Sequence, residues 1–224
     1  MVTLCWAAKG GSGTTVVTTT FALESERPAL LVDLAGEVPA VLGMSAPDRP
    51  GVADWLNADG ATAQLDDLLV EIDDTTTLLT HRQVGEITPQ HGATSARAAD
   101  PRWQELCSWF DQWEATHHGD VWIDGGTGSP PTALAGGVKH RWLITRACYL
   151  SLRRAAASLV RPTGVLLVDE AGRALRDCDI ERSIGAPIVG RLPIDPKVAR
   201  AVDAGLLISR PPQTIRRSLR RIAA

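Results

Sequence analysis

Short apolar runs alternate along the chain with segments whose apolar residues recur at helical spacing. Runs of roughly four to eight apolar residues bounded by turn residues predict buried strands, and a period of about 3.6 residues predicts helices. The predicted strands are residues 2–8, 29–33, 76–80, 120–124, 141–145, 164–168 and 187–190. The predicted helices are residues 14–24, 38–43, 51–57, 65–72, 101–116, 149–159, 177–184 and 213–224. This alternation predicts a single α/β domain with a mostly parallel central sheet flanked by helices.

Two segments need an interpretation of their own. The composition of residues 83–100 turns to Gly, Pro, Thr, Ala and Arg without periodicity, which predicts a flexible, exposed loop. In the helix at 101–116, Trp103, Leu106, Phe110 and Trp113 form an apolar stripe with three aromatic rings. Packing against the sheet is the favoured interpretation of this stripe, and a platform for stacking nucleic-acid bases is the alternative.

Composition narrows the class of protein without identifying a function. With 224 residues, the chain is long enough for one α/β domain with a sizeable core. A net charge of -3 excludes a general attraction to nucleic acid or anionic membranes, so any such binding requires a local basic patch. The four cysteines lack zinc-binding or disulfide spacing, so we expect packing roles and a reducing compartment. Because no apolar run approaches ~20 residues and no signal peptide is evident, we expect a cytoplasmic protein.

A glycine-rich loop between the first strand and the first helix carries the candidate chemistry. It reads Lys9, Gly10, Gly11, Ser12, Gly13, Thr14 and Thr15. Its glycines let backbone amides approach phosphate groups, and the following helix points its N-terminus at the same place. Thr15 stands where a hydroxyl ligates Mg²⁺, and Asp124 ends an apolar strand that brings a carboxylate to that metal through a water. The alternatives are a ligand-free strand-to-helix turn and an aspartate that caps a loop.

This loop resembles the deviant Walker A motif of the ParA/MinD family of P-loop ATPases (SIMIBI class), whose pattern is KGGxGK[ST]. In that family the first lysine reaches across a dimer to the partner's nucleotide, and Lys9 matches it. Later segments are similar to the family's second strand, its GLxDxL segment, its Walker B and switch region, its late lGxpvlGxiPxd stretch and the start of the helix after it. In that order they are residues 31–34, 51–56, 121–128, 184–195 and 201–206.

The resemblance implies one ParA/MinD-like P-loop domain over residues 1–224 that binds ATP or ADP with Mg²⁺. The cofactor-binding residues that it implies are Lys9, Gly10, Gly11, Ser12, Gly13, Thr14 and Thr15, with Pro193 and Asp195 from the late stretch. Thr15 and Asp124 are the implied metal ligands, and Lys9 and Asp33 are the implied catalytic residues. The resemblance also implies a homodimer, a protein partner, and association with the nucleoid or a membrane.

The chain departs from the family pattern at catalytic positions. Thr14 replaces the P-loop lysine, whose charge stabilises phosphates during transfer. Ala35 replaces the second carboxylate of an Asp-x-Asp pair that positions the attacking water in relatives, and Glu37 is a nearby alternative for that role. Asp169 and Glu170 stand where relatives carry an adenine-reading Asn. Removing such a charge commonly costs on the order of 10³-fold in rate, so the departures favour nucleotide binding with weak or absent hydrolysis.

The segment 213–224 is predicted to be a basic amphipathic helix. Ile215, Leu219 and Ile222 share one face, and the arginines around it are Arg216, Arg217, Arg220 and Arg221. Three interpretations remain: a helix that packs on the domain, which is favoured, a tail that targets a membrane, and a patch for nucleoid DNA. Arg146, Arg153 and Arg154 extend a DNA-binding patch if they lie on the same side.

Three hypotheses on function follow from the sequence. The first is a ParA/MinD-like, ATP-binding and dimerising protein that positions or scaffolds other components, as a pseudo-ATPase with little hydrolysis. The second is an active ATPase switch for DNA partition, division-site selection or secretion-machine positioning, with Lys9 and Glu37 replacing the missing groups. The third is an interaction module that binds no nucleotide.

Overall fold

Eight strands form one sheet in the computed structural model, which describes residues 1–45, 48–58, 64–82, 101–209 and 211–223. The strands are β1 (Val2–Ala7), β2 (Ala29–Asp33), β3 (Leu69–Glu71), β4 (Thr76–Leu79), β5 (Asp120–Thr127), β6 (His140–Arg146), β7 (Gly164–Asp169) and β8 (Ile188–Pro193). Their spatial order is β3-β4-β2-β5-β1-β6-β7-β8. Only the edge pair β3 and β4 is antiparallel among these pairings, so the prediction of a mostly parallel sheet is confirmed.

Helices cover both faces of the sheet. They are α1 (Thr14–Leu23), α2 (Val38–Leu42), α3 (Val52–Asn57), α4 (Pro101–His117), α5 (Thr132–Gly137), α6 (Tyr149–Ala156), α7 (Asp177–Ile184), α8 (Pro196–Asp203) and α9 (Gln213–Ala223). Apolar residues of α1, α2 and α9 pack on one side, called here the α1 face, with Trp122 of β5. Those of α3 to α7 pack on the other side with Val121 and Ile123 of the same strand. Successive side chains of a strand point to opposite faces of the sheet, so the strands contribute apolar residues to two cores.

The aromatic stripe of α4 belongs to the core, as favoured by the sequence. Leu106 and Phe110 are fully buried, Trp113 is nearly so, and Trp103 packs partly buried against the same cluster. The expectation that the cysteines are packing residues is confirmed for Cys5 and Cys107 only. It is wrong for Cys178, which is exposed, and Cys148 is partly exposed at the start of α6.

The predicted helix at 65–72 is wrong. Leu65–Leu68 forms one turn of 3-10 helix, and the chain then enters β3, which pairs antiparallel with β4. The carboxylate of Asp73 accepts hydrogen bonds from the backbone N–H groups of Thr75 and Thr76, which closes a tight turn between the two strands. Apolar residues at helical spacing, Leu65 and Leu68, are buried by that single turn. Cross-strand pairing therefore overrides the local helical pattern.

The boundaries near the C-terminus also differ from the prediction. Helix α6 ends at Ala156, and β8 continues to Pro193. The helix after β8 begins at Pro196, so the assignment of its start to 201–206 is wrong. Asp195 caps this helix by accepting the Lys197 N–H at 2.8 Å, and a proline at the first helical position favours the same start. The predicted loop 83–100 lies outside the described residues.

Helix α9 packs on the domain, which confirms the favoured interpretation of the C-terminal segment. Leu219 is 1% exposed, and a Cβ at Gly190 of β8 would lie 2.3 Å from a side-chain carbon of Ile222. Two of the arginines are held by Glu24 at the end of α1, which pairs with Arg216 at 2.6 Å and Arg220 at 3.3 Å. Within the described part of the chain, no helix is long and apolar enough to span a membrane.

Candidate phosphate-binding site

The glycine-rich loop lies at the carboxyl edge of the sheet, between β1 and α1. Gly11 and Gly13 adopt left-handed backbone conformations, with φ of 75° and 81°, which a side chain would strain. Among the residues that the structure describes, a Cβ added at either glycine would meet no atom within 4 Å, and one at Gly10 would meet only Thr127 Oγ1 at 3.9 Å. The loop backbone therefore faces open space, as a cradle for a ligand requires.

The N-terminus of α1 opens onto the same space. Gly13 occupies the capping position, no side chain of the described ranges caps the helix, and its first turn contains no acidic residue. The first backbone N–H groups of a helix have no partner inside the helix and carry its positive dipole end. Ser12 and Thr18 hydroxyls donate to the carbonyl oxygens of Lys9 and Thr14, both at 2.9 Å, which fixes the loop without using these amides. The site therefore suits an anion.

Thr14 and Lys9 determine how much positive charge the loop itself carries. Thr14 is 6% exposed and brings no charge to the helix start. Lys9 is partly buried at the beginning of the loop, and among the described residues it forms no ion pair. Its ammonium is therefore available to a ligand or to a second copy of the chain.

Asp124 lies beside the first turn of α1 with one carboxylate oxygen unpartnered. The residue is completely buried, Oδ1 accepts the Gly126 N–H at 3.0 Å, and Oδ2 has no hydrogen-bond partner among the described residues. Burial raises the pKa of Asp124 to about 6. The Thr15 hydroxyl and the Gly126 N–H oppose that effect, and the charges of Asp33 and Glu37 add to it. A buried carboxylate oxygen without a partner is costly unless a cation or water meets it.

These residues fit a magnesium site of the kind found beside phosphates. Thr15 lies close enough to Asp124 for its hydroxyl to affect the carboxyl pKa, so hydroxyl and carboxylate converge. In the described ranges no three His, Cys, Asp or Glu side chains form a metal-binding cluster. Mg²⁺ commonly takes one or two protein ligands and completes its shell with phosphate oxygens and water. Thr15 and Asp124 match that ligand set.

Asp33 organises the loop after β2. Its buried carboxylate accepts N–H groups from Ala35 at 3.0 Å, Gly36 at 2.6 Å and Val38 at 3.1 Å. Burial raises its pKa, and these three hydrogen bonds together with the His81 charge counteract that rise. Both oxygens are therefore occupied by the backbone that leads into α2. The implied catalytic role of Asp33 stays a prediction.

The loop after β2 brings Ala35 and Glu37 to the candidate metal site. A Cβ at Gly126, two residues after Asp124, would lie 2.8 Å from the Ala35 methyl carbon. The methyl group of Ala35 therefore lies against the backbone just after Asp124 and brings no charge to it. Glu37 is exposed at the start of α2, and its charge is close enough to raise the pKa of Asp124.

Pro193 and Asp195 lie away from the loop. Both follow the edge strand β8, which is separated from β1 by β6 and β7. Adjacent strands are about 4.8 Å apart, so these residues are on the order of 14 Å from the phosphate cradle. The Asp195 carboxylate accepts the Thr214 hydroxyl of α9 at 2.6 Å and caps α8. The hydroxyl of Thr214, followed by the Lys197 N–H, lowers the pKa of Asp195.

The structure brings together Lys9 to Thr15, Asp33 and Asp124, and it adds one residue that the sequence assigned elsewhere. Arg146 ends β6, the neighbour of β1, at the same edge of the sheet. Its Nε is buried without a hydrogen-bond partner in the described chain. Arg146 differs in this respect from Arg153 and Arg154, which are exposed on α6. The available signal was the alternation of Trp142, Ile144 and Arg146 along one face of a strand.

Comparison with solved structures finds the same fold in cell-division proteins and in a ParA family ATPase. A chain of the MinC:MinD cell division protein complex from Aquifex aeolicus has a TM-score of 0.74 and 17% identity, covering 99% of this chain and 95% of that chain. A ParA family ATPase from Chlorobium tepidum has a TM-score of 0.71 and 19% identity, covering 97% and 95%. The septum site-determining protein MinD complexed with Mg-ADP, from Pyrococcus horikoshii, has a TM-score of 0.70 and 17% identity, covering 100% and 95%.

These likenesses show a ParA/MinD-like fold over the length of the chain. No protein-family model matches the sequence, and a search among curated proteins finds no match.

Proposed function

We propose that this chain is a ParA/MinD-like nucleotide-binding protein that dimerises and positions or scaffolds other components, with weak or absent hydrolysis. One observation carries the proposal. The uncapped N-terminus of α1 opens behind a glycine loop facing free space, and an unpartnered carboxylate oxygen of Asp124 lies beside its first turn. Phosphate groups satisfy the first feature, and a divalent cation satisfies the second.

The proposed ligand is ATP or ADP with Mg²⁺. A protein of this fold was solved as MinD complexed with Mg-ADP, which supports the assignment. Thr15 and Asp124 are the residues that would hold the metal, which supplies positive charge against the phosphates. The loop amides from Gly10 to Thr15 would hold the phosphates. Pro193 and Asp195 are too far from the loop for a phosphate role, so we propose them only for the remote end of the nucleotide.

The proposal of slow hydrolysis rests on two missing charged side chains, one at position 14 and one at position 35. Thr14 supplies no cation at the helix start, and the Ala35 methyl group faces Gly126 where relatives carry a carboxylate. Asp33 binds backbone N–H groups with both oxygens, so it is poorly placed to orient a water. Loss of one charged stabiliser commonly lowers phosphoryl transfer by on the order of 10³-fold.

An active ATPase is the second candidate function, and the position of Glu37 favours it. Its carboxylate is exposed, and its charge acts on Asp124 across the candidate site. A carboxylate at this place would orient a water for attack, as the missing second aspartate does in relatives. The two candidates differ only in turnover, because both require nucleotide binding at the same loop.

Dimerisation is proposed through the carboxyl edge of the sheet. Lys9 has no ion-pair partner among the described residues, and at the start of α6 the side chains of Tyr149 and Leu150 are 75% and 42% exposed. Exposed apolar side chains next to an unpaired lysine suit contact with a second copy. A protein partner is also proposed, since the MinC:MinD complex contains this fold.

Helix α9 is part of both the predicted membrane-binding surface and the predicted DNA-binding surface. Its apolar residues Ile215 and Leu219 are buried, so insertion into a membrane requires the helix to detach. Contact with DNA through exposed arginines of α6 and α9 needs no such rearrangement, and we retain it as a proposal.

Titration calorimetry with ATP and ADP, with and without Mg²⁺, tests the proposal together with a turnover assay. We expect binding that depends on Mg²⁺ and is lost in Asp124→Ala. Thr14→Lys should raise the affinity roughly tenfold to a hundredfold, because a charge-assisted hydrogen bond is added. Thr116→Lys is the matched control, since it adds the same charge at the exposed end of α4 near the opposite edge.

Three outcomes separate the candidates. Turnover at ordinary rates for such ATPases that disappears in Asp124→Ala and Glu37→Gln would establish the active enzyme and contradict the proposed slow hydrolysis. Binding without appreciable turnover is the expected result. If no nucleotide with Mg²⁺ shifts the melting temperature of the wild type or of Thr14→Lys, the chain is a nucleotide-free interaction module and the proposal fails.

A further inference from the structure

Arg146 lies beside the phosphate-binding loop on the same face of the sheet as α1. Strand β6 pairs with β1 in parallel, with Trp6 opposite Leu143, so the end of β6 reaches the level where β1 turns into the loop. Trp142 and Ile144 pack into the core of the α1 face, and alternation places Arg146 on that side too. Neighbouring strands are about 4.8 Å apart, a spacing that an arginine side chain easily spans.

The guanidinium of Arg146 lacks an acceptor in the described protein. Its Nε is buried without a hydrogen bond, although a guanidinium has five N–H donors in a rigid fork. The acidic side chains of the neighbouring segments pair with other arginines. Asp169 and Asp177 bind Arg191, and Glu170 binds Arg173. A partly buried arginine with an unused donor therefore points to an anionic ligand from outside the chain.

The segment that follows Arg146 is also next to the loop. Cys148, two residues later, opens α6, and its Sγ lies 3.0 Å from the Ser151 hydroxyl. That hydroxyl lowers the pKa of Cys148 most, and the charges of Lys9 and Arg173 lower it further. Because β1 and β6 are adjacent parallel strands, Lys9 after β1 and the start of α6 after β6 lie at the same edge of the sheet. The loop after β1 and the loop after β6 thus leave neighbouring strands at one edge, and among the described residues no carboxylate pairs with Arg146.

We propose that Arg146 binds the phosphate groups of the nucleotide held by the loop, supplying from strand β6 the positive charge that Thr14 does not supply from α1. The inference rests on the proposed nucleotide-binding function and deepens it. A guanidinium binds two phosphate oxygens at once in a fixed plane, whereas a P-loop lysine acts as a point charge. Arg146 thereby favours tight binding of the phosphates, and it does not restore the vacant carboxylate position at Ala35.

Calorimetric titration of the whole protein with two probes, Mg-ATP and inorganic triphosphate, tests the role of Arg146. Arg146→Gln should lower the affinity for both probes roughly tenfold to a hundredfold, because a charge-assisted hydrogen bond is lost. Arg146→Lys should recover part of that loss. Arg154→Gln, on the exposed side of α6, removes the same charge and should change either affinity by less than about twofold. Melting curves without ligand show that each variant is folded.

Thr14→Lys added to Arg146→Gln distinguishes a charge role from a structural one. If Arg146 replaces the absent lysine, the double variant should regain most of the wild-type affinity, and a merely structural arginine would give no such rescue. Wild-type binding of both probes with unchanged affinity in folded Arg146→Gln would overturn the inference and leave the proposed function standing. Binding of triphosphate that depends on Arg146, without binding of ATP, would show that Arg146 binds phosphate groups and would overturn the proposed nucleotide-binding function. Absence of binding to either probe would overturn both.

Discussion

Replacing Asp124 by asparagine should stabilise the ligand-free protein while abolishing its response to Mg²⁺ and nucleotide. The carboxylate is completely buried, and Oδ2 has no partner among the described residues. Its pKa, raised by burial from 3.8 to about 6, means that the folded protein resists its ionisation. One pKa unit corresponds to 1.36 kcal/mol, so the ionised carboxylate costs about 3 kcal/mol at neutral pH.

The sign of the pH dependence follows from the same pKa. The folded state binds this proton more tightly than the unfolded state, so stability falls as the pH rises from about 4 to 6. Asparagine does not titrate, and it can still accept the Gly126 N–H. We therefore expect Asp124→Asn to be about 1–3 kcal/mol more stable at pH 7.5 and almost equal to the wild type near pH 4. Asp33 titrates in both proteins, so most of its contribution cancels in the difference.

Urea denaturation at pH 4 and pH 7.5, with and without Mg-ATP, measures these differences. Asp120→Asn is the matched control on the same strand. The Asp120 carboxylate accepts hydrogen bonds from Ser25 and Arg27, so its loss should destabilise the protein. That variant should lose about 1–3 kcal/mol. Mg-ATP should stabilise the wild type and leave Asp124→Asn unchanged. An Asp124→Asn variant no more stable than the wild type at pH 7.5 would refute the reasoning about the unpartnered oxygen.

Two further predictions concern the packing of the chain. Leu219→Ala should lower the free energy of unfolding by about 2–5 kcal/mol, whereas the exposed Arg217→Ala should change it by about 0.5 kcal/mol or less; equal effects in denaturation curves would mean that α9 is not docked. In the native protein at pH 8, alkylation read by mass spectrometry should modify Cys178 and Cys148 and spare Cys5 and Cys107. Burial raises the pKa of the latter two to about 12 and about 11, so rapid labelling of either would contradict their core positions.

Much of the sheet follows from the sequence because its strands are continuous apolar runs buried on both faces. The sequence predicts the strand at 29–33, and likewise the helix at 177–184, with the observed boundaries. The prediction of secondary structure fails where tertiary contacts determine the conformation of a segment. Leu69–Glu71 becomes a strand because it pairs with β4 across an Asp73 turn, and no periodicity within the segment records that pairing. The start of α8 depends on the Asp195 cap, whose carboxylate also binds Thr214 of α9.

The candidate site was predictable where one contiguous motif carries it, from Lys9 to Thr15, and where a strand ends on Asp124. Its electrostatics were not. Only the structure shows that the Asp33 carboxylate accepts hydrogen bonds from three backbone N–H groups, whereas Oδ2 of Asp124 has no partner among the described residues. The sequence groups Arg146 with Arg153 and Arg154 because it does not reveal that β6 lies next to β1. Strand order therefore determines which distant charge reaches the loop.

The most direct test of the central claim is a crystal structure with Mg²⁺ and a non-hydrolysable ATP analogue at saturating concentration. We predict phosphate groups on the loop amides between Gly10 and Thr15, a metal ion held by Thr15 and Asp124, and the guanidinium of Arg146 on a phosphate oxygen. A loop that stays empty, with Asp124 unchanged and the analogue absent or bound elsewhere, would contradict the claim that this loop is a nucleotide cradle.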